Sequence, residues 1–405
     1  MSISSSATGL RPGVCTSTTR PTTPYLGQLI FQTDTGTMHN WDGAAWQFLA
    51  PTQQRNVLYN GAMQVAQRGT STASITAAGY HTADRWKMQS PEVVNGTWTQ
   101  SVENDAPTGS GFRKSLKMLC TTASASPASN NGVQIAQLLE GQDLQAFRKG
   151  TSSAQQFTIS FWVKSNVTGT HIFELYDVDN TRQVSKSYTI SASGTWEFKT
   201  LTLPADTTGA FDNDNALSLV AIWWLSVGSG YSSGTLNTSW ASVTNANRAA
   251  GQTNVAAATN NYWQVTGVQL NVGGVAAPFE FKSYERDLRE CQRYYYAPSN
   301  AGGGGSDGAI IGGMGYNYST TNALQTLTLP VPMRTQPTIA VQSTLEWALV
   351  NATAQSPSVG IFTSLSGNHY IALDLTGMSG MTAQMAGWLR FATATTGSFA
   401  VSAEL

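Results

Sequence analysis

Four side chains in the middle of this sequence, Trp162, Glu174, Tyr176 and Trp224, have the types to hold a sugar. Pyranose rings stack on exposed indole and phenol rings, while amides and carboxylates hydrogen-bond the hydroxyls at the ring edge. Trp162 stands on the polar side of an alternating run, beside Ser160 and Lys164. Trp223 and Trp224 are adjacent, so a strand sends them to opposite faces. Trp223 falls in phase with Leu217, Leu219 and Leu225 and reads as core. Trp224 then joins Trp162 on one sheet surface, with Glu174 and Tyr176 from the intervening strand. The competing reading has these rings covered by a loop or by a neighbouring subunit.

No constellation for covalent or metal chemistry stands beside them. The histidines are His39, His81, His171 and His369, and no two have a spacing that brings two ligands to one face. A glycosidase needs a pair of carboxyls, and only Glu174 lies in a strand at the candidate surface. Distant carboxylates can still meet in space, so a polysaccharide depolymerase stays an alternative to the expected non-enzyme. Asp177, Asp179 and Asn180, and separately Asp212, Asn213, Asp214 and Asn215, are oxygen-rich, but neither run has EF-hand spacing. They read as solvated turns, and neither metal nor cofactor is expected. Gly302–Gly305 lacks the Lys-Ser/Thr that follows a phosphate-cradling loop and reads as a connector. Cys15, Cys120 and Cys291 are odd in number and far apart, which excludes a disulfide framework and a CxxC zinc site.

Composition points the same way. Charged residues are 11% of the 405, against ~25% in average soluble proteins. Yet 41% of the chain is hydrophobic and 12 residues are Trp, so this is not a disordered profile. Thr, Val, Tyr and Trp with few charges suit pleated sheets whose outer faces carry hydroxyls and amides. Net charge is -1 without a basic patch, so nucleic acid is not an expected partner. No apolar run approaches the ~18 residues of a membrane span. Met1–Arg20 has no basic region followed by an apolar one, so synthesis in a cytoplasm without a signal peptide is expected.

The elements that must position these residues are strands, and the fold class expected is all-β. Residues 1–24 read as an extended arm, followed by a small meander with strands near 28–33, 37–41 and 45–49 around turns at Asp34-Thr-Gly36 and Asp42-Gly43. This attachment unit is bounded at residues 1–54. Residues 55–283 carry strands near 98–102, 115–121, 157–164, 171–178, 195–203, 217–227 and 261–272, which predict an antiparallel jelly-roll sandwich. Ala136–Lys149 is a helix candidate weakened by Gly141. Residues 284–308 combine a helix over Tyr284–Tyr295, with Ser283 as N-cap and Leu288, Cys291 and Tyr295 on one face, and the glycine-rich run 300–308 as a flexible link. The helix should pack between the flanking β domains or at a subunit interface. Residues 309–405 predict a second β-sandwich, with strands near 324–331, 338–342, 358–362, 370–375, 387–392 and 398–405.

Several segments resemble those of bacteriophage tail and fibre proteins. Thr18-Thr-Arg-Pro-Thr-Thr-Pro-Tyr-Leu-Gly-Gln-Leu-Ile-Phe-Gln-Thr-Asp-Thr, followed by Trp41-Asp-Gly-Ala-Ala-Trp46, is similar to a short β unit near the N-termini of such proteins. Asn56-Val-Leu-Tyr-Asn-Gly-Ala-Met-Gln-Val-Ala-Gln-Arg-Gly69 with Thr82-Ala-Asp-Arg-Trp86 resembles the opening of a tail-associated family. In that family a jelly roll similar to carbohydrate-binding modules follows. It closes with segments like Pro278-Phe-Glu-Phe-Lys-Ser-Tyr284 and Cys291-Gln-Arg-Tyr-Tyr295, and a β domain opens near a pattern like Pro330-Val-Pro-Met-Arg-Thr-Gln-Pro337. The resemblance implies a virion structural protein, a homotrimer, bound to other virion proteins through its N-terminal region and presenting β domains for receptor binding and host adsorption on surface glycans. It carries no catalytic set. A capsid decoration or head-fibre protein without a receptor role is the alternative from another class.

Overall fold

The computed structural model describes residues 12–49, 55–298, 309–343, 345–349, 353–392 and 398–405. Alternation sets the central core. In the strand Phe157–Ser165, Phe157, Ile159, Phe161 and Val163 are fully buried on one side. They meet Leu219, Ala221, Trp223 and Leu225 of Leu217–Val227 in one apolar cluster. Trp223 packs at 4.8 Å from Phe173, 5.4 Å from Trp86 and 5.8 Å from Phe161, measured between ring centroids. A bulge opposite Leu139 and Glu140 takes Leu217 out of this phase and packs it on the outer side.

Two sheets face each other across that core. The seven-stranded sheet runs Ala241–Ser242, Arg182–Ile190, Gly169–Asp177, Leu217–Val227, Gly132–Glu140, Lys87–Gln89, Gly79–Tyr80. The six-stranded sheet runs Glu197–Leu203, Phe157–Ser165, Tyr262–Val272, Ser115–Thr122, Thr97–Glu103, Ser71–Ile75. The chain crosses repeatedly from one sheet to the other, as the expected jelly roll requires. The segment Asn56–Gly69 braces them: the Asn56 amide donates to Val268 O, the Asn60 amide donates to Val65 O and Asp84 O, and Trp86 Nε1 donates to Asn60 O.

Ala136–Lys149 is not a helix. Its first part belongs to the strand Gly132–Glu140, and single 3₁₀ turns follow at Gly141–Asp143 and Gln145–Phe147. All nine residues of that strand are buried. A strand covered on both faces has no period of two, so its apolar run mimics a helix.

The N-terminal unit is a four-stranded sheet, Gly13–Cys15, Leu29–Gln32, Thr37–Trp41 and Trp46–Phe48. The expected arm thus contains a strand, paired parallel to Leu29–Gln32, while residues 1–11 lie outside the described residues. Trp41 and Trp46 meet at 5.6 Å across the Asp42-Gly43 turn, where Gly43 takes a φ of 101°. Ile30 is buried, but Val14, Tyr25 and Leu26 are largely exposed.

The helix covers Tyr284–Gln292, and Ser283 Oγ accepts from Arg286 N as its cap. Cys291 is buried, but Tyr295 has left the helix: Tyr295–Tyr296 pairs with Ser398–Ser402 in a three-stranded sheet with Thr338–Ser343. The glycine-rich run falls outside the described residues. A six-stranded sheet, Leu345–Leu349, Ala386–Phe391, Gly315–Asn317, Ala323–Thr328, Tyr370–Thr376, Ser358–Ile361, completes the C-terminal part around Trp347, Ile371, Leu373 and Leu389. Among the described residues no helix is long and apolar enough to cross a membrane.

Candidate functional site

The expected common surface of Trp162 and Trp224 does not exist. Phe157–Ser165 and Gly169–Asp177 are consecutive strands, but they lie in different sheets, so Trp162 is separated from Glu174, Tyr176 and Trp224 by the whole sandwich. Trp224 and Glu174 are fully buried. The indole Nε1 donates to Glu174 Oε2 at 2.9 Å, and Arg248 Nε donates to Glu174 Oε1 at 2.7 Å. The Arg248 guanidinium lies 4.9 Å from the half-buried Tyr176 ring and 5.6 Å from Trp224. Tyr231 and Ala249, from the excursion that follows Leu217–Val227, close over this cluster. Trp224 and Glu174, held by Arg248, therefore form a satisfied buried network that Tyr176 flanks, and the covered-ring reading holds for Trp224.

Trp162 has a different setting. It points outward from the six-stranded sheet, directly opposite Phe198 on one side and Thr266 on the other. The Trp162 and Phe198 rings lie 5.3 Å apart, and Phe198 is 50% exposed. Next to Thr266 the register shifts at Gly267, which has a φ of 61°. A Cβ there would come 2.6 Å from the Phe112 ring, so glycine lets Phe112 lie over the sheet. Phe112 meets Phe279 at 4.8 Å and Phe281 at 5.0 Å, and Phe281 is 55% exposed. Between the two aromatic groups runs an open cleft of about 300 Å³ with Ser110 and Ser160 on its walls.

One step along the strands, the row changes from aromatic to polar. Lys164 pairs with Gln264, and Gln264 with Lys117. Asp105 ties this row together: its Oδ2 accepts from Lys164 Nζ at 2.6 Å and Gln264 Nε2 at 3.2 Å, and its Oδ1 from Trp196 Nε1 at 3.2 Å. Burial pushes the Asp105 carboxyl up, but the hydrogen bonds from Lys164, Trp196 and Gln264 outweigh it and hold the pKa below the usual value. A carboxylate so held stays ionised and accepts hydrogen bonds; it is a poor proton donor. The arrangement can stack a planar apolar face and hydrogen-bond its edge. Among the described residues no group of three or more His, Cys, Asp and Glu side chains is placed to hold a metal ion.

Of the expected residues only Trp162 lines this cleft, and Phe198, Phe112, Phe281, Trp196 and Asp105 were missed. A signal for two of them was present. Trp196 and Phe198 are out of phase with the core residues Leu201 and Leu203, as Trp162 is out of phase with Phe161 and Val163. Phe112 and Asp105 sit in a loop with no phase to read.

No protein-family model and no curated protein sequence matches the chain. Among solved structures, it is similar to the enzymatically active domain of tailspike protein 4 of bacteriophage CBA120, at 14% identity over 54% of this chain and 21% of that one, with a TM-score of 0.29. It is also similar to the family 11 carbohydrate-binding module of Clostridium thermocellum in complex with a β-1,3-1,4-mixed-linked tetrasaccharide, at 11% identity over 51% of this chain and 100% of that one, TM-score 0.25. The C-terminal family 22 carbohydrate-binding module of Clostridium thermocellum Xyn10B aligns at 12% identity over 51% of this chain and 96% of that one, TM-score 0.24. The chain thus spans about a fifth of the length of the tailspike domain it matches.

Proposed function

We propose that this protein is a phage virion structural protein of the tail-fibre kind, attached by its N-terminal unit, whose sandwich binds a host-surface glycan in the Trp162–Phe198 cleft without cleaving it. The observation that carries this reading is the cleft itself. Phe198, on the strand Glu197–Leu203, and Phe281, on the segment after Tyr262–Val272, each leave half of their surface in water, at an apolar cost that a buried position would avoid. Exposed rings framed by hydroxyl, amide and ion-pair groups match the apolar face and polar edge of a sugar. The absence of cleavage is supported by Asp105, whose lowered pKa suits an acceptor and not the raised-pKa acid of a glycosidase. The virion role is supported by the resemblance at residues 18–46, 56–86 and 278–296.

The test is binding of host envelope polysaccharide fragments to the purified chain by glycan array and calorimetry. Trp162→Ala and Phe198→Ala should each weaken binding by about tenfold or more, the loss of roughly one stacking contact. Unchanged binding in both variants would remove the cleft from the proposal. Release of reducing ends by the wild type would overturn the non-enzymatic part. Density of the protein at capsid lattice positions in images of whole particles would replace the tail by the capsid.

A further inference from the structure

At the oxygen-rich run Asp177–Asn180, a lysine occupies a setting built for a hard cation. Lys149 follows the 3₁₀ turn Gln145–Phe147, and its side chain has no exposed surface. Its Nζ donates to Asp177 Oδ2 at 2.5 Å, Gly209 O at 2.7 Å and Thr208 O at 3.0 Å, and lies 3.1 Å from Asp206 Oδ2. Asp177 is fully buried and Asp206 nearly so. Two carboxylates and two main-chain carbonyls converging on one point are the donor set of a calcium site. In the solvated turn expected at Asp177–Asn180, Asp177 is therefore buried, Asn180 half-buried and only Asp179 fully exposed.

The shell around the cage is complete. Asn180 Nδ2 donates to both Asp177 oxygens, and Arg182 Nε and NH2 hold Asp206 at 2.8 and 3.1 Å. The backbone N–H of Thr208 also reaches Asp206. Phe211 and Trp240 flank the ammonium, with ring centroids 5.2 and 5.0 Å from Nζ. Gly209, whose carbonyl faces Nζ, has a φ of 71° and packs on Asn180. The cage joins the hairpin between Gly169–Asp177 and Arg182–Ile190 to the crossover after Glu197–Leu203, and so ties together strands of both sheets.

We infer that this cage is a cation site in which the chain supplies its own cation, the Lys149 ammonium, in place of a divalent metal. The carboxylates of Asp177 and Asp206 are balanced by Lys149 and Arg182, so the site is neutral when filled and carries one uncompensated negative charge when Lys149 is removed. A cavity of about 280 Å³ lined by Leu144, Arg148, Thr151 and Phe211 abuts Lys149 and gives an ion a route in once the side chain is shortened.

Thermal unfolding of the full chain tests this. Wild-type Tm should be the same with a chelator and with about 1 mM Ca²⁺, a concentration that fills weak protein sites. Lys149→Ala should lower Tm by roughly 10 °C, as expected for an uncompensated buried carboxylate. About 1 mM Ca²⁺ should restore more than half of that loss, and Mg²⁺ less, because it demands a near-ideal octahedron. Lys149→Ala with Asp177→Asn should lose the calcium response. If Lys149→Ala is insoluble, its refolding yield with and without Ca²⁺ gives the same discrimination. A chelator-sensitive wild type, or a Lys149→Ala variant indifferent to Ca²⁺ in both stability and refolding, would overturn the inference.

Discussion

The guanidinium of Arg85 lies 3.4 Å from the ring centroid of Tyr294, with no part of the arginine side chain exposed. Arg85 belongs to the sandwich and Tyr294 follows the helix Tyr284–Gln292. The charge is answered from farther still, by Glu404, which also binds Arg68 at 3.0 Å. Arg85 NH2 donates to Leu138 O at 2.6 Å, and the Tyr294 hydroxyl donates to Glu140, which Arg293 grips with two bonds. The joint between the sandwich and the C-terminal part is thus a buried ionic knot.

Glu404→Gln should therefore destabilise the sandwich, although residue 404 lies outside it. Removing one partner of a buried pair leaves Arg85 uncompensated and costs about 3–5 kcal/mol. Calorimetry should show the sandwich transition moving down. Hydrogen exchange should show faster opening near Tyr294. A sandwich that melts as before would mean that the knot contributes nothing to its stability.

The two tryptophans first paired as sugar platforms should separate cleanly in experiment. Trp224→Ala removes a fully buried ring and leaves Glu174 Oε2 without its donor, and should cost about 3–5 kcal/mol in denaturant unfolding. Trp162→Ala removes a half-buried ring from an outer face and should cost about 1 kcal/mol or less, yet weaken glycan binding. Equal stability losses in the two variants would contradict the burial assigned to them.

What was legible in the sequence follows from this contrast. In Phe157–Ser165 the alternation announced both the strand's position and which side chains face away from the core, of which Trp162 and Lys164 reach water. The second half of Gly132–Glu140, dry on both faces, reads as the start of a helix, and Arg182–Ile190, a polar strand next to the sheet edge, offers no apolar run to read. Sheet membership carried no signal at all. The segment 166–168 between the strands of Trp162 and Glu174 could equally have been a hairpin or the crossover that it is, and that single topological fact split the expected site. The cleft that remains is assembled from a strand, a loop and the strap around Phe279 and Phe281, partners brought together only by tertiary structure.

The Asp84 and Asp287 carboxyls should add stability as pH falls from 7 towards 5, against His171, whose buried ring, pushed down to about 4, takes stability away over part of the same range. Burial raises the Asp84 carboxyl to about 6, against which Arg68 and the Gln67 hydrogen bonds pull only in part. Burial likewise raises Asp287 to about 6. An acid whose folded pKa exceeds its unfolded value binds more protons in the folded state between those two values. Stability from these groups is then present at low pH and is lost as pH rises through about 6. Each contributes on the order of 1–3 kcal/mol. Asp84→Asn should lose stability relative to the wild type as pH drops from 7 to 5, as read from urea titrations. A difference between the two that does not change with pH would show that Asp84 does not contribute in this way.

Gly267 should control the cleft through Phe112 alone. At a φ of 61° an alanine pays a backbone penalty, and its Cβ would sit 2.6 Å from the ring. Gly267→Ala should cost about 1–2 kcal/mol of stability and push Phe112 out of its contacts with Phe279 and Phe281. Glycan binding should fall by about the factor seen in Phe112→Ala. If the effect passes through the ring, the double variant binds no worse than Phe112→Ala, since the alanine then has nothing left to displace. Additive losses would instead mean that Gly267 shapes the floor beside Trp162 directly, by shifting Thr266 in its pairing with that tryptophan.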